Sequence, residues 1–353
     1  MKKTIKNIFL HLPAIACTLS IIILILINPQ AATDGIKNGI TLLLTTVIPS
    51  LFPFLVIASY MASSNAFTSL AGIFEKATTS LFKISASGFI PIVMGFLGGY
   101  PVGAKITADL YKANRISQNE AERLLYFTVN SGPAFTITAV GVGMLHNYYA
   151  GLILFASGIL TSLTLGFFCR FLGDGSYMNS SVKKEKNNSL VFINSVSSGA
   201  NAIINISAWI LTFSCFSAII NQFNFNENLK LFLNAVLEVT NGCKLCSTVA
   251  SLPLISAILG FGGLAVVAQV SPYFSSCKVS LKNFIVSRIL NASLSAFFTS
   301  QLLKIIPVSA KAAVIYSTKN GAVGISYTIS ATIILLIMCI FFILQVDNRK
   351  KVC

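Results

Sequence analysis

Long apolar runs, separated by short polar segments, make up most of this chain. The runs at residues 148–171, 284–306 and 326–346 carry few charged side chains, and polar loops separate them from their neighbours. About 20 apolar residues is the length that a helix needs to cross a bilayer. The pattern therefore predicts an all-α polytopic membrane protein with about eight spans.

The stretch at residues 88–111 departs from this simple pattern. It is as apolar as a span, yet glycine and proline crowd its middle, and Lys105 follows them at once. A continuous helix disfavours so many breakers, and broken backbone is tolerated in lipid only where it is buried in protein or lines a wet cavity. We predict a re-entrant hairpin or broken helix that builds a substrate site. The breakers are Gly95, Gly98, Gly99, Pro101 and Gly103.

Three later apolar stretches contain breakers as well. Asn-Ser-Gly-Pro at residues 130–133 predicts a break near the middle of the membrane. The polar, breaker-rich segment at residues 238–244 predicts a second hairpin. Gly-Phe-Gly-Gly at residues 260–263 precedes Gln269 in the same apolar run.

The chain begins with lysines followed by an apolar run. No cleavage site of small residues follows this run, so residues 1–28 are expected to be a retained first span rather than a signal peptide. Residues 29–37 are expected to form a short turn. Residues 36–62 then form a second span, which Pro49 and Pro53 are expected to kink.

The charges support a membrane protein and fix an orientation. Only 10% of the residues are charged, against about 25% in soluble proteins, and the mean hydropathy is +0.80. If the N-terminus lies inside, 18 of the 25 Lys and Arg residues fall in inside loops and 5 in outside loops, and Lys105 and Lys244 lie in the hairpins. The net charge of +15 therefore follows the positive-inside rule and does not indicate a nucleic-acid partner.

The same topology makes one half of the chain the reverse of the other. Each half has a span, a hairpin and two further spans, with every direction inverted in the second half, and the hairpins share the patterns Gly103-Ala-Lys105 and Gly242-Cys-Lys244. This suggests an inverted repeat, the plan of many secondary transporters. The expected divisions are a first transmembrane anchor (1–34), a first half (35–172), a cytosolic linker (173–189), a second half (190–306), and a final span with a basic tail (307–353).

Catalytic and metal-binding patterns are weak. Residues 98–105, Gly-Gly-Tyr-Pro-Val-Gly-Ala-Lys, come close to a phosphate-binding loop, but the Gly-to-Lys spacing is wrong and Ile106 replaces Ser or Thr. Cys243 and Cys246 are interpreted as small packing residues, because a redox or metal role needs more ligands or a soluble βαβ unit. The two histidines are too few for a zinc site. We expect neither an enzyme nor a bound metal or cofactor.

The acidic residues beside the first hairpin have a simpler interpretation. Asp109, Glu120 and Glu122 lie close to basic residues at an expected membrane edge and are interpreted as loop charges. Ser117 and Glu120 form a capping-box pattern, which predicts that a helix begins there.

The two hairpin lysines suggest an anion site. Broken helices direct free N–H groups and positive dipole ends towards the midplane, and Lys105 and Lys244 are expected to add full charges. Glu238 is expected either to pair with Lys244 or to bind a coupling proton or sodium. The alternative is that both lysines reach the headgroups from helix ends.

Other polar residues beside the breaks are candidates for substrate contact. Asn130, Ser131 and Gln269 are suited to hydrogen-bonding a ring or carboxylate, although Asn and Ser also join membrane helices to one another. The full set of candidate substrate-binding residues is Gly99, Gly103, Lys105, Asn130, Ser131, Glu238, Asn241, Gly242, Lys244 and Gln269.

Several motifs occur in an order that resembles a known family. They are GFLGGYPVGAKITADL at 95–110, EAERLLYFTVNSGPAF with AVGVGM at 120–144, LEVTNG at 237–242, and GFGGLAVVAQV at 260–270. They resemble the sporulation integral membrane protein family YlbJ, also described as stage V sporulation protein V, whose members carry nucleoside-recognition Gate domains. Val267 departs from the pattern, because a polar residue, often histidine, is expected there.

The resemblance implies a function that the residue patterns alone do not give. It implies that the two halves are Gate-like and that the protein moves dipicolinic acid from the mother cell across the outer forespore membrane of a spore-forming bacterium. The expected partners are then dipicolinate and membrane lipid. Two alternatives are an ion-coupled nucleoside transporter and a non-transporting membrane assembly factor for spore morphogenesis.

Overall fold

The computed structural model describes residues 19–63, 71–172, 188–247, 252–277, 279–306 and 308. All secondary structure in these ranges is helical. Most of the expected linker (173–189) and nearly all of the expected final span and tail (307–353) lie outside the described residues, as does the start of the expected first span.

Two π-helical segments, Leu43–Val47 and Ala134–Met144, lie among the α-helices of the described residues. In chain order the α-helices are α1 (Leu19–Ile27), α2 (Pro29–Leu42), α3 (Ile48–Ser63), α4 (Glu75–Phe82), α5 (Phe89–Gly98), α6 (Tyr100–Lys112), α7 (Gln118–Thr128), α8 (Tyr148–Cys169), α9 (Asn188–Ile220), α10 (Glu227–Leu237), α11 (Val239–Ser247), α12 (Leu252–Phe261), α13 (Gly263–Cys277) and α14 (Leu281–Ile305).

The helices have the length and composition of a polytopic membrane protein. Three helical stretches among the described residues are long and apolar enough to cross a bilayer, namely Tyr148–Cys169, Leu190–Ile220 and Leu252–Cys277. Two bent helix pairs raise this number to at most five. The expectation of about eight spans is thus met only in part, because the hairpin helices are individually too short.

The N-terminal region differs from the expected turn. Residues 29–37 are helical, because Pro29 begins α2 at a position where its missing N–H costs nothing. The chain instead bends by 96° at Asn28, between α1 and α2. Gly35 of α2 lies close to Ser214 and Cys215 of α9, a small-residue contact of the kind that lets membrane helices approach closely.

The two predicted hairpins are present. A Cβ built on Gly103 would lie 3.1 Å from the Cα of Gly95, whereas residues eight apart in one helix are separated by about 12 Å. Helices α5 and α6 are therefore antiparallel, with Gly99 at the tip. A Cβ built on Gly242 would likewise lie 2.6 Å from the Cα of Ala235, so α10 and α11 form a second hairpin around Glu238.

The two series of helices repeat one order of elements. The first has a long helical run (α2 to α3), the α5–α6 hairpin, a helix broken between Thr128 and Ala134, and the span α8. The second has the long helix α9, the α10–α11 hairpin, a helix broken at Gly262, and the long helix α14. In both series a hairpin is therefore followed along the chain by a broken helix.

Glu120 is a structural residue, so its interpretation as a loop charge was wrong. Its side chain is buried, and its two carboxylate oxygens accept hydrogen bonds from the Ser85 and Ser117 backbone N–H groups, at 2.6 and 2.7 Å. The Ser117 hydroxyl accepts a bond from the Glu120 N–H in return. The predicted capping box is confirmed, and it also joins α7 to the segment that precedes α5.

Candidate functional site

Four interruptions of helical structure meet at one central cavity of about 70 Å³. They are the tips of the two hairpins and the breaks in the two broken helices. The lining residues include Leu42, Thr46, Val47, Leu51, Leu97, Gly98, Gly99, Tyr100, Pro101, Gly132, Ala134, Phe135, Ile206, Ile210, Glu238, Val239, Thr240, Ala265, Val266 and Gln269.

The first hairpin tip lies against the first helix break. Gly99 has φ +85°, a conformation that a side chain disfavours, and this turns the chain from α5 into α6. A Cβ on Gly132, in the break after α7, would lie 2.9 Å from the Gly99 nitrogen. Two backbones therefore touch here, and both glycines are needed for the contact.

The second hairpin tip lies against the second helix break in the same way. A Cβ on Gly263 would lie 3.1 Å from the Glu238 nitrogen. Glu238 is extended and buried, and its carboxylate accepts the Thr240 and Asn241 N–H groups, each at 2.8 Å. The carboxylate thereby caps the N-terminus of α11.

Four helix N-termini lie at the edge of this cavity. Helices α6, α11 and α13 and the π-helical segment Ala134–Met144 all begin at the breaks. Each N-terminus carries backbone N–H groups without an intrahelical acceptor and a partial positive charge. Glu238 already occupies one of them, and the other three favour an anion at the centre.

A hydrogen bond joins the first hairpin tip to α12 of the second series. The Tyr100 hydroxyl, at the first hairpin tip, donates a 2.8 Å hydrogen bond to the Leu259 carbonyl near the end of α12.

Arg288 of α14 makes a second contact between the two series. It is fully buried, and its guanidinium donates to the carbonyls of Tyr126 and Val129 at the end of α7. A cation is favourable at a helix C-terminus, so Arg288 holds the end that precedes the first break.

The comparison with known proteins gives one informative relative. Sporulation integral membrane protein YlbJ of Bacillus subtilis (strain 168) is 27% identical over 321 residues, which cover 78% of this chain and 79% of that protein. This similarity supports assignment of the chain to the YlbJ family, and together with the apolar helices it supports an integral membrane protein of a sporulation family. No protein-family model and no solved structure match it.

Three of the residues predicted for the site line the central cavity. They are Gly99, Glu238 and Gln269. Gly103 and Gly242 lie behind the cavity, each four residues after its hairpin tip, where they let the two hairpin helices touch. Of the five breakers singled out from the sequence, Gly99 separates the two hairpin helices, whereas Gly103 lies within α6.

The two lysines do not line the cavity. Lys105 is buried in α6 and donates to Asp109 at 2.7 Å and to Ser59 at 2.6 Å, whereas Lys244 is exposed on α11. Glu238 bonds the backbone at its own helix start. The two lysines lie at the same distance along the chain from their tips, as the shared pattern implied, but in different surroundings.

Three predicted polar residues join helix segments instead. The Asn130 amide donates to the Phe127 carbonyl at 2.8 Å and to the Ser162 hydroxyl at 3.0 Å. The Ser131 hydroxyl lies 2.6 Å from that of Thr136. The Asn241 amide donates to the Ser217 hydroxyl at 2.9 Å. Asn130 and Ser131 also line a smaller neighbouring cavity of about 20 Å³.

Sequence reasoning missed several residues of the site. Tyr100 and Gly132 were within predicted breaks, but only the fold shows that one reaches Leu259 and the other touches Gly99. Arg288 was counted among loop charges, yet it lies inside α14. Val267, the departure from the family pattern, is buried away from the cavity, while its neighbour Val266 lines it.

Proposed function

We propose that this protein transports a small organic anion, dipicolinate, across the outer forespore membrane during sporulation. The observation that carries the proposal is the central cavity, where two hairpin tips and two helix breaks meet. Binding sites at broken helices are typical of secondary transporters. The name of the Bacillus subtilis relative supports the sporulation context.

The cavity has the chemistry that a flat aromatic dicarboxylate needs. Leu51, Phe135, Ile206 and Val266 supply apolar walls for the ring. The helix N-termini that begin at Tyr100, Ala134 and Gly263 supply N–H groups for the carboxylates. Ionised Glu238 disfavours binding of the dicarboxylate, because like charges in a cavity of low dielectric constant repel strongly.

We infer that the two series of helices form an inverted repeat that works by alternating access. They have the same order of elements, and each hairpin carries a glycine four residues after its tip. The distribution of positive charge favours opposite orientations for the two series. Rocking of one unit against the other around a fixed central site is the usual mechanism of such folds.

A nucleoside is the second candidate cargo, and a feature of the cavity favours it. Among the described lining residues the charged side chain is an acid, Glu238, and Gln269, Thr46 and Thr240 add neutral polar groups. Hydroxyls of a ribose and the edge of a base match such a set better than a dianion does. A direct comparison of the two cargoes is therefore needed.

The test is uptake by liposomes that contain only this purified protein. Labelled dipicolinate is expected to enter them above the level of protein-free liposomes, and labelled uridine is not. Uptake of uridine alone would replace dipicolinate with a nucleoside as the cargo. Uptake of neither, with correctly inserted protein, would favour the assembly-factor alternative.

Glu238→Gln is expected to uncouple transport from the proton gradient. We propose that a proton on Glu238 removes the repulsion between its carboxylate and an anionic cargo, so inward proton flow drives uptake. The amide keeps one of the two oxygens that accept the Thr240 and Asn241 N–H groups, but it cannot exchange a proton. Uptake by the variant should not respond to an imposed pH gradient, whereas uptake by the parent should.

Glu227→Gln is the matched control for this prediction. Glu227 is an exposed acid in the first turn of the same hairpin and does not line the cavity. Its variant should retain the response to the gradient. If the Glu238 variant retains it as well, Glu238 is not the coupling group.

A further inference from the structure

A second, polar cavity lies at the ends of three helices that also line the central cavity. Its volume is about 560 Å³. We call it the vestibule. It lies where α3 and α6 end and α9 begins, which is the side that the charge distribution assigns to the cytosol. Its lining residues are Ser59, Ser63, Asp109, Lys112, Ala113, Leu190, Val191, Asn194, Ser195 and Ser198.

One face of each of the three helices lines both the vestibule and the central cavity. On α3, Leu51 lines the central cavity and Ser59 lines the vestibule. The corresponding residues are Pro101 and Asp109 on α6, and Ile206 and Ser198 on α9. Each pair is separated by eight residues, or about 12 Å along a helix, and residues four apart share a helix face.

A single layer of side chains fills the interval on all three helices. The residues halfway along are Leu55 on α3, Lys105 on α6 and Ala202 on α9, and they are 0%, 4% and 6% exposed. The α3 and α9 backbones approach closely beside this layer, because a Cβ on Gly199 would lie 3.3 Å from the backbone nitrogen of Val56. The layer therefore separates the two cavities.

Lys105 holds this layer together through bonds on its vestibule side. Its ammonium donates to Asp109 of α6 and to Ser59 of α3. The Asp109 side chain is 31% exposed, whereas that of Lys105 is 5% exposed. Asp109 is thus able to turn into the vestibule and stay hydrated, but Lys105 then needs another anion, because an unpaired buried charge is strongly unfavourable.

We propose that the Lys105 layer is a closed gate between the vestibule and the central cavity, and that a carboxylate of the cargo opens it by replacing Asp109 as the partner of Lys105. This proposal rests on the proposed transport function and assigns the cargo a first binding position in the vestibule. It gives Lys105 a part in anion binding at the gate, outside the central site. An anion is required because a neutral cargo cannot take the place of Asp109.

The test measures how fast a thiol in the central cavity becomes accessible. Thr46→Cys places a thiol in that cavity, and Asn194→Cys places one in the vestibule. A membrane-impermeant, anionic methanethiosulfonate reagent is applied to full-length protein in liposomes, and peptide mass spectrometry reports labelling at each position. Position 194 should react quickly and position 46 slowly.

Asp109→Asn should then speed labelling at position 46 roughly tenfold or more, in proportion to the larger open fraction. Glu227→Gln, which removes the exposed ion pair with Lys230, is the matched control and should change neither rate. Leu55→Ala removes volume from the same layer without changing the ion pair, and it should also speed labelling at position 46. This second variant tests the gate even if Asp109→Asn does not fold.

Two results would overturn the gate. One is equally fast labelling at positions 46 and 194 in the parent protein, and the other is an unchanged rate at position 46 in the folded gate variants. The labelling does not depend on the identity of the cargo. A gate that behaves as expected in a protein that takes up no dipicolinate would count against the proposed cargo alone.

Discussion

Gly103→Leu is expected to abolish transport and to destabilise the first hairpin. A Cβ at this position collides with the backbone carbonyl of Thr128 and lies close to Gly95. All of these contacts are backbone atoms, so no flexible side chain is able to move aside. A leucine must therefore push α6 away from α5 and α7, which carry the hairpin tip and the first helix break. Uptake and thermal unfolding of the purified variant are the two measurements.

A pair of alanine variants separates packing from helix propensity. Alanine is favoured over glycine within a helix by about 1 kcal/mol, and this gain applies equally to Gly103 in α6 and Gly158 in α8. A Cβ on Gly158 meets no atom within 4 Å, so Gly158→Ala should be neutral or stabilising. Gly103→Ala should lower the unfolding temperature. Equal unfolding temperatures for the two variants would mean that α6 does not pack as closely as described.

The breaks of this fold were predictable because glycine and proline mark them locally. The positions of the Gly99 tip, the 130–133 break, the Glu238 tip and the Gly262 break were all within stretches singled out from the sequence. The role of each glycine was not predictable. Gly99 turns the chain with a positive φ, whereas Gly103 stays helical and lets another backbone approach, and both functions select the same residue.

The positions of charged side chains were harder to predict than the breaks. Lys105 and Lys244 are each six residues after a hairpin tip, so the sequence pattern was correct along the chain. Their surroundings depend on neighbours from elsewhere, because Ser59 of α3 lies beside Lys105, whereas Lys244 is exposed. A shared pattern therefore identified equivalent positions without identifying a shared function.

The surroundings of Arg288 were even harder to predict from the sequence. Its partners are the carbonyls of Tyr126 and Val129, which precede it by about 160 residues in the sequence, and a backbone carbonyl leaves no trace in a sequence pattern. A basic residue near the start of an apolar run is ordinarily a loop or interface charge. Only the packing of α14 against α7 reveals that this one is buried.

Arg288→Met is expected to destabilise the protein by about 3 kcal/mol or more, because each hydrogen bond to a charged group contributes about 1.5–3 kcal/mol and two carbonyls would lose their donor. The carbonyls lie at the end of α7, so the first helix break should also lose its position. Uptake is expected to fall even at temperatures where the variant is folded. Phe284, whose ring lies 5.1 Å from the guanidinium carbon, should keep the methionine buried.

Arg288→Lys tests whether charge or geometry matters. A lysine keeps the positive charge at the helix C-terminus, but its single ammonium lacks the planar fork of arginine. We expect it to restore part of the stability and little of the uptake, because one carbonyl would remain without its donor. Lys282→Met, an exposed change six residues earlier in α14, is the control and should affect neither stability nor uptake. Wild-type uptake by Arg288→Lys would show that Arg288 supplies charge alone. Equal unfolding temperatures for Arg288→Met and Lys282→Met would show that the two carbonyl bonds do not hold α7 in place.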